Sequence, residues 1–163
     1  KEIEQVSVDE CYMDFTSIDD RWNSPVDGAL EIKDGIKGRF GFTVNIGIST
    51  NKLLAKMASD FQKPDRIHTL FPEEIKAKMW PLPIGELYMA GRSSVETLKK
   101  LEINTIGDLA QADPELIVLH LKIHGKMLWE FANGRGRDVV QAEPEEAKGI
   151  GNSTTLRADA ETE

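Results

Sequence analysis

One cysteine, Cys11, is all that the chain contains. An internal disulfide is therefore excluded, and a reducing compartment such as the cytoplasm is expected. Cys11 falls in an apolar run and reads as a small core residue of a strand. No apolar run approaches the roughly 18 residues of a membrane-spanning helix, and no signal peptide opens the chain. No membrane partner is expected. An initiator methionine is missing too: Lys1 leads at once into an apolar run, and residues 158–163 stop without a helix or strand. The chain reads as a piece of a longer protein. Excess positive charge is also absent. The formal net charge of −8 argues, at face value, against nucleic acid.

The distribution of charge weakens that argument. Residues 1–84 hold 11 Lys and Arg against 14 Asp and Glu, residues 85–137 hold 7 of each, and residues 138–163 hold 2 against 7. Most of the acidity lies in the tail, and the neutral middle also carries His120 and His124. With 40% hydrophobic and 29% charged residues in 163, the chain can bury a core as one large domain or two small ones.

The stretch Val6-Ser7-Val8-Asp9-Glu10-Cys11-Tyr12-Met13-Asp14-Phe15 places two adjacent acids between short apolar runs. In a flat strand Asp9 and Glu10 point to opposite faces. They converge only where the chain turns or bulges, as at a hairpin tip. Paired carboxylates at the end of a sheet suit a hard divalent cation such as Mg²⁺. A plain polar turn is the alternative.

Residues 3–8 and 11–15 read as two paired strands, with Cys11, Met13 and Phe15 on one face. Ser24-Pro25-Val26-Asp27 starts a helix that runs to about Lys37, buries Leu30, Ile32 and Ile36, and ends at Gly38. Residues 42–49 alternate cleanly and predict a strand in which Gly47 suggests something passing close to the backbone. Thr50 or Asn51 caps the next helix, to about Gln62, with Leu53, Leu54, Met57, Ala58 and Phe61 at 3–4 spacing. Lys63-Pro64-Asp65 ends it. Residues 67–70 form a short strand, and Pro72 opens a helix to about Trp80. Helices thus pack on a sheet, in an α/β or α+β layer.

Pro81-Leu82-Pro83 marks a boundary. Beyond it come helix starts: a capping box at Ser93-Ser94-Val95-Glu96, a weaker one at Thr105-Ile106-Gly107-Asp108, and Asp113-Pro114. A last helix spans residues 126–133 after Gly125. The stretch Leu87-Tyr88-Met89-Ala90-Gly91-Arg92-Ser93-Ser94 resembles a helix–hairpin–helix connection, whose backbone N–H groups hold a phosphate without reading bases. A tight interhelical turn is the alternative, because Met89 stands where the hairpin's first glycine is usual.

Three blocks stand in order: Ser7-Val8-Asp9-Glu10, then Gly47-Ile48-Ser49-Thr50-Asn51-Lys52-Leu53-Leu54-Ala55-Lys56-Met57-Ala58-Ser59-Asp60, then Lys63-Pro64-Asp65. Together they resemble the palm of the Y-family translesion DNA polymerases, the DinB/UmuC group. Thr105-Ile106-Gly107-Asp108-Leu109-Ala110 and Leu128-Trp129-Glu130-Phe131-Ala132-Asn133-Gly134 resemble the thumb of that family. Lys148-Gly149-Ile150-Gly151-Asn152-Ser153-Thr154-Thr155 resembles the opening of its little finger. The resemblance implies an α+β fold: part of a palm, with a mostly antiparallel sheet and packed helices, then a small all-α thumb. The divisions are residues 1–81 for palm, 82–137 for thumb, and 138–163 for linker and little-finger start.

The same resemblance implies Mg²⁺-dependent nucleotidyl transfer to a primer 3′-hydroxyl, with two ions in a complete site. Asp9 and Glu10 would bind metal, and Lys63 would meet the triphosphate of an incoming deoxynucleotide. Gly91, Arg92, Ser93 and Ser94 would contact primer-template DNA. A sliding clamp would engage a region outside this chain. Lys52 and Lys56, one turn apart, read as a solvated helix face, with a secondary phosphate role for Lys52.

There are departures. The family's further palm aspartate, its fingers and its aromatic gate against ribonucleotides have no counterpart here, and Arg66 stands where glycine usually follows Lys-Pro-Asp. The isolated segment is therefore expected to be inactive. Other readings are a non-catalytic helix–hairpin–helix DNA-binding module, a palm-type nucleotide cyclase, and a purely structural protein.

Overall fold

The computed structural model describes residues 2–16, 21–136, 138–143, 151 and 155. The expected little-finger start at residues 148–155 lies almost wholly outside them. Strands β1 (Ile3–Gln5) and β2 (Cys11–Met13) pair antiparallel, Ile3 opposite Met13 and Gln5 opposite Cys11. After helix α1 (Pro25–Phe40), β3 (Ile46–Ile48) pairs in parallel with β4 (Ile67–Thr69), and α2 (Lys52–Asp60) is the crossover between them. The α+β class holds, with the sheet divided into one antiparallel and one parallel pair. All four strands are shorter than their apolar runs, because ladder bonds cover only three residues of each. Phe42, which the alternation puts on one face with Val44, Ile46 and Ile48, is 67% exposed and lies outside the ladder.

Local chemistry sets the helix ends. Ser24 caps α1 by accepting the Asp27 N–H. The helix runs through Gly38 and stops at Gly41, whose φ of 75° is the left-handed cap that glycine adopts without strain. It buries Gly28 and Ala29, whereas Leu30 is exposed. Asn51 caps α2 through the Leu54 N–H, and Leu53, Leu54, Met57 and Ala58 are buried as their spacing requires. Residues 72–79 form a 3₁₀ turn, Pro72–Glu74, continuing into a π-helical turn, Ile75–Met79.

A short 3₁₀ turn, Ile84–Glu86, leads to α3 (Arg92–Lys100), α4 (Ile106–Gln111) and α5 (Pro114–Ala132). The capping box at Thr105 forms with both bonds, and Asp113 caps α5. The Ser93 box does not form. Helix α3 begins two residues earlier at the N-cap Gly91, and Glu96 instead accepts from Arg92, one turn back. The helix expected from Lys126 is the second part of α5, which breaks at Lys122 (φ 55°) rather than at Gly125.

One apolar cluster runs from Leu54, Met57, Leu70 and Met79 through Ile84 and Leu98 to Ile106, Leu109, Ile117 and Leu128. It passes beneath the Pro81–Pro83 segment, where Leu82 O accepts from Ile106 N and Trp80 O from Gly107 N. Met57 is 3% exposed and the other nine of these side chains are fully buried. The β1–β2 hairpin stands outside this core. Cys11 is exposed, against expectation, and so are Ile3 (53%) and Met13 (37%).

Candidate active site

The acidic pair sits on the tip of the β1–β2 hairpin. Glu10 O accepts from Val6 N (2.9 Å) and Ser7 N (3.2 Å), closing a turn that lifts Asp9 and Glu10 clear of the strands. Both are exposed. The Ser7 hydroxyl donates to Asp9 Oδ1 at 2.6 Å, and Lys56 Nζ lies 2.6 Å from Glu10 Oε1.

Helix α2 carries this contact onward. Lys56 also faces Asp60 at 3.6 Å, and Asp60 Oδ1 lies 2.7 Å from Lys63 Nζ. Glu10, Lys56, Asp60 and Lys63 thus form a chain of alternating charge from the hairpin tip to the loop after α2. Burial opposes the charge on Lys56, but its hydrogen bond to Glu10 and the charges of Asp60 and Glu10 outweigh that and hold its ammonium above the ordinary range.

A second lysine ties down the other end of the hairpin. Lys52 Nζ reaches both oxygens of Glu4, at 2.8 and 3.0 Å, and Gln141 N donates to Glu4 Oε2. The Lys52 bond, then the Gln141 bond, hold the Glu4 carboxyl below its usual range. Lys52 also stands over the Tyr12 ring, and burial pushes the Tyr12 hydroxyl up to about 12. The expected solvated face at Lys52 and Lys56 is thus corrected. Their side chains are 16% and 19% exposed, and both are neutralised by hairpin carboxylates. Nothing local in the sequence marks these partners, which lie 48 and 46 residues away.

Lys63 is half exposed beyond its bond to Asp60. Asp65, two residues on, accepts from Lys37 and Lys33 of α1, and those bonds hold its carboxyl below the usual range. Asp60, Asp65, Lys33 and Lys37 were not foreseen as site residues. Gly91 caps α3 without a side-chain bond, leaving the first-turn amides to other partners. Met89, at the hairpin's usual glycine position, has φ 67°. Arg92 and Ser93 are exposed and Ser94 is buried. Among the described residues no hydrogen bond or ion pair joins Gly91, Arg92, Ser93 or Ser94 to the acidic pair.

For a divalent cation, Asp9 and Glu10 offer hard oxygen donors of the right kind. They fall short in number. Among the described residues no group of three His, Cys, Asp or Glu is placed to hold a metal.

The lowered carboxyls Glu4, Glu74 and Asp65 set an expected pH response. Because folding depresses each value, the stability it brings is complete above the unfolded range and lost as pH falls through the folded values. Urea midpoints should stay level from pH 7 to about 5 and decline below that. A midpoint rising on acidification would contradict the assignments.

The described residues thus combine a carboxylate-tipped hairpin braced on a helix, a βαβ crossover and a set of packed helices. Residues 1–60 match the model of the IMS, impB/mucB/samB, family. DNA polymerase IV of Clostridium acetobutylicum is 52% identical over 157 residues, covering 96% of this chain and 39% of that protein. DNA polymerase IV 1 of Bacillus subtilis is 41% identical over 163 residues, covering 99% and 39%. The crystal structure of DinB from Sulfolobus solfataricus superposes with a TM-score of 0.76 at 25% identity, over 86% of this chain and 42% of that one. An insertion ternary complex of Dbh DNA polymerase gives 0.74 at 27%, over 86% and 41%. In sequence and fold the chain is similar to a segment of these DNA polymerases. It spans about two fifths of the DNA polymerase IV relatives that it matches. No described helix is long and apolar enough to cross a membrane.

Proposed function

We propose that this chain is the palm-and-thumb portion of a cytoplasmic translesion DNA polymerase that extends a primer on damaged template with deoxynucleoside triphosphates. Residues 1–81 are its share of the palm, 82–137 the thumb, and 138–163 the lead into a little finger. The observation that carries the reading is the chain of contacts from Glu10 through Lys56 and Asp60 to Lys63. It links a carboxylate tip to a cation suited to phosphate, the two partners that nucleotidyl transfer needs on one surface. Bound Mg²⁺, two ions in a complete site, would supply charge neutralisation at the reacting phosphate. Asp9 and Glu10 would hold it with their oxygens. Lys63 would leave Asp60 for the triphosphate, and Lys56 would keep the tip docked on α2. A clamp contact belongs to a region outside this chain.

The thumb's part is positional. The first-turn amides of α3, at Arg92, Ser93 and Ser94 behind Gly91, offer donors to a phosphate without reading bases. Duplex binding by this chain should be weak, indifferent to sequence and steeply reduced by salt. Fluorescence anisotropy across a salt series checks this, and a sequence preference or a flat salt response would count against it.

The shortfall of metal ligands favours one rival, a DNA-binding module without chemistry. Mg²⁺ titration followed by amide NMR separates the two. The polymerase reading predicts shifts at Asp9 and Glu10, whereas the module predicts none there.

A further inference from the structure

We infer that Lys33 and Lys37 of α1 are positioning residues for Lys63, acting through Asp65. The inference rests on the reading of Lys63 as a phosphate contact. Lys63 stands in the short connection between α2 and β4, a kind of segment that is mobile unless tied down. Asp65 has a φ of 59°, a left-handed conformation that a non-glycine residue keeps only where its surroundings hold it. The holder is α1. Lys33 Nζ lies 3.1 Å from Asp65 Oδ1 and Lys37 Nζ 2.8 Å from Oδ2, one ammonium for each oxygen.

The two lysines are one helical turn apart and so share a face of α1. The side chains of Lys33 and Asp65 are only 14% and 22% exposed, which shields this pair from salt better than a surface pair. Lys33 also meets Asp34 at 3.2 Å, but that carboxylate is largely exposed. Beyond Asp65, Arg66 N donates to Asn45 Oδ1 and Arg66 O accepts from Ile46 N. The loop is therefore seated on β3 at one end, while Asp60 of α2 grips the Lys63 ammonium at the other.

A phosphate arriving at Lys63 has to draw the ammonium from Asp60. The exchange is favourable only if the backbone beneath stays in place, since ordering a loose loop on binding consumes interaction energy. The clamp on Asp65 supplies that order in advance. Nothing in the local sequence announces it, because the lysines lie 32 and 28 residues upstream.

The test titrates inorganic triphosphate into the 163-residue chain at low salt, followed by amide NMR, with hydrogen exchange at Arg66 as a second readout. Lys63→Met should weaken binding by about tenfold or more, the scale of one lost charge-assisted hydrogen bond. Lys33→Met/Lys37→Met should weaken it by roughly three- to tenfold and speed Arg66 exchange by about tenfold, the scale of a locally opened loop. Amides in α4 and α5 should be unchanged. Lys33→Arg/Lys37→Arg should restore both readouts, and Lys99→Met/Lys100→Met, which removes the same charge from α3, should alter neither. Unchanged affinity and exchange in the Lys33→Met/Lys37→Met variant overturns the inference. Unchanged binding in Lys63→Met overturns the reading of Lys63 instead, while Arg66 exchange still decides whether α1 sets the loop.

Discussion

Gly47→Ala is expected to destabilise the fold by about 3 kcal/mol or more, the upper range for forcing atoms into a packed interior. A Cβ at Gly47 would stand 1.8 Å from Ala55 O and 2.6 Å from Ser59 N. These are backbone atoms of α2, so no side-chain rotation relieves the clash. Helix α2 would have to lift from β3, pulling Leu54, Met57 and Ala58 out of the cluster they share with the rest of the core. The tip would suffer too, because Lys52 and Lys56 reach it from the same helix. Gly35 in α1 is the comparison: an added Cβ there meets nothing within 4 Å, so Gly35→Ala should stabilise by up to about 1 kcal/mol. Urea unfolding of the three proteins checks both. A Gly47→Ala midpoint equal to wild type would refute the close approach.

Gly47 also shows what the sequence could disclose. A glycine interrupting a clean alternation signals a neighbouring backbone, and the α2 apolar spacing with its Asn51 cap signals the neighbour. Such features are local, encoded within one or two turns of chain. The same holds for Ser24, Thr105 and Asp113, whose capping bonds all form. The start of α3 is hidden, because Ser93 and Glu96 satisfy a capping pattern while Gly91 begins the helix with no side-chain bond at all. What stayed hidden depends on partners far along the chain. Lys52 and Lys56 looked like a wetted face because their carboxylates lie on a hairpin more than forty residues earlier. Cys11 was expected inside because apolar strand residues usually find a cover, yet it stands exposed on a hairpin outside the buried cluster. Of the site itself, the adjacency of Asp9 and Glu10 was readable. The Lys56–Asp60 link to Lys63 was not.

The second large effect concerns activity. In a full-length protein containing this segment, Glu10→Ala is expected to reduce template-directed extension by about a thousandfold, the scale seen when one preorganised charge-stabilising group is removed. Glu10 offers carboxylate oxygens at an exposed tip, and alanine replaces them with nothing that binds a cation. The substitution also takes from Lys56 its 2.6 Å partner, leaving it Asp60 alone at 3.6 Å and shifting the charge beside the site by one positive unit. The fold should survive, because Glu10 lies outside the buried cluster. The segment alone should not extend a primer. Its tip supplies two carboxylates, and among the described residues no third stands ready to complete a metal centre. A misplacement of about 1 Å in such a site is worth roughly a hundredfold in rate.

Primer extension with Mg²⁺ and all four deoxynucleotides tests the central claim most directly, comparing the segment, the full-length protein and its Glu10→Ala variant on one template. The account predicts template-directed extension by the full-length protein only. Extension by the Glu10→Ala variant at the wild-type rate, or no extension by any of the three, would contradict it.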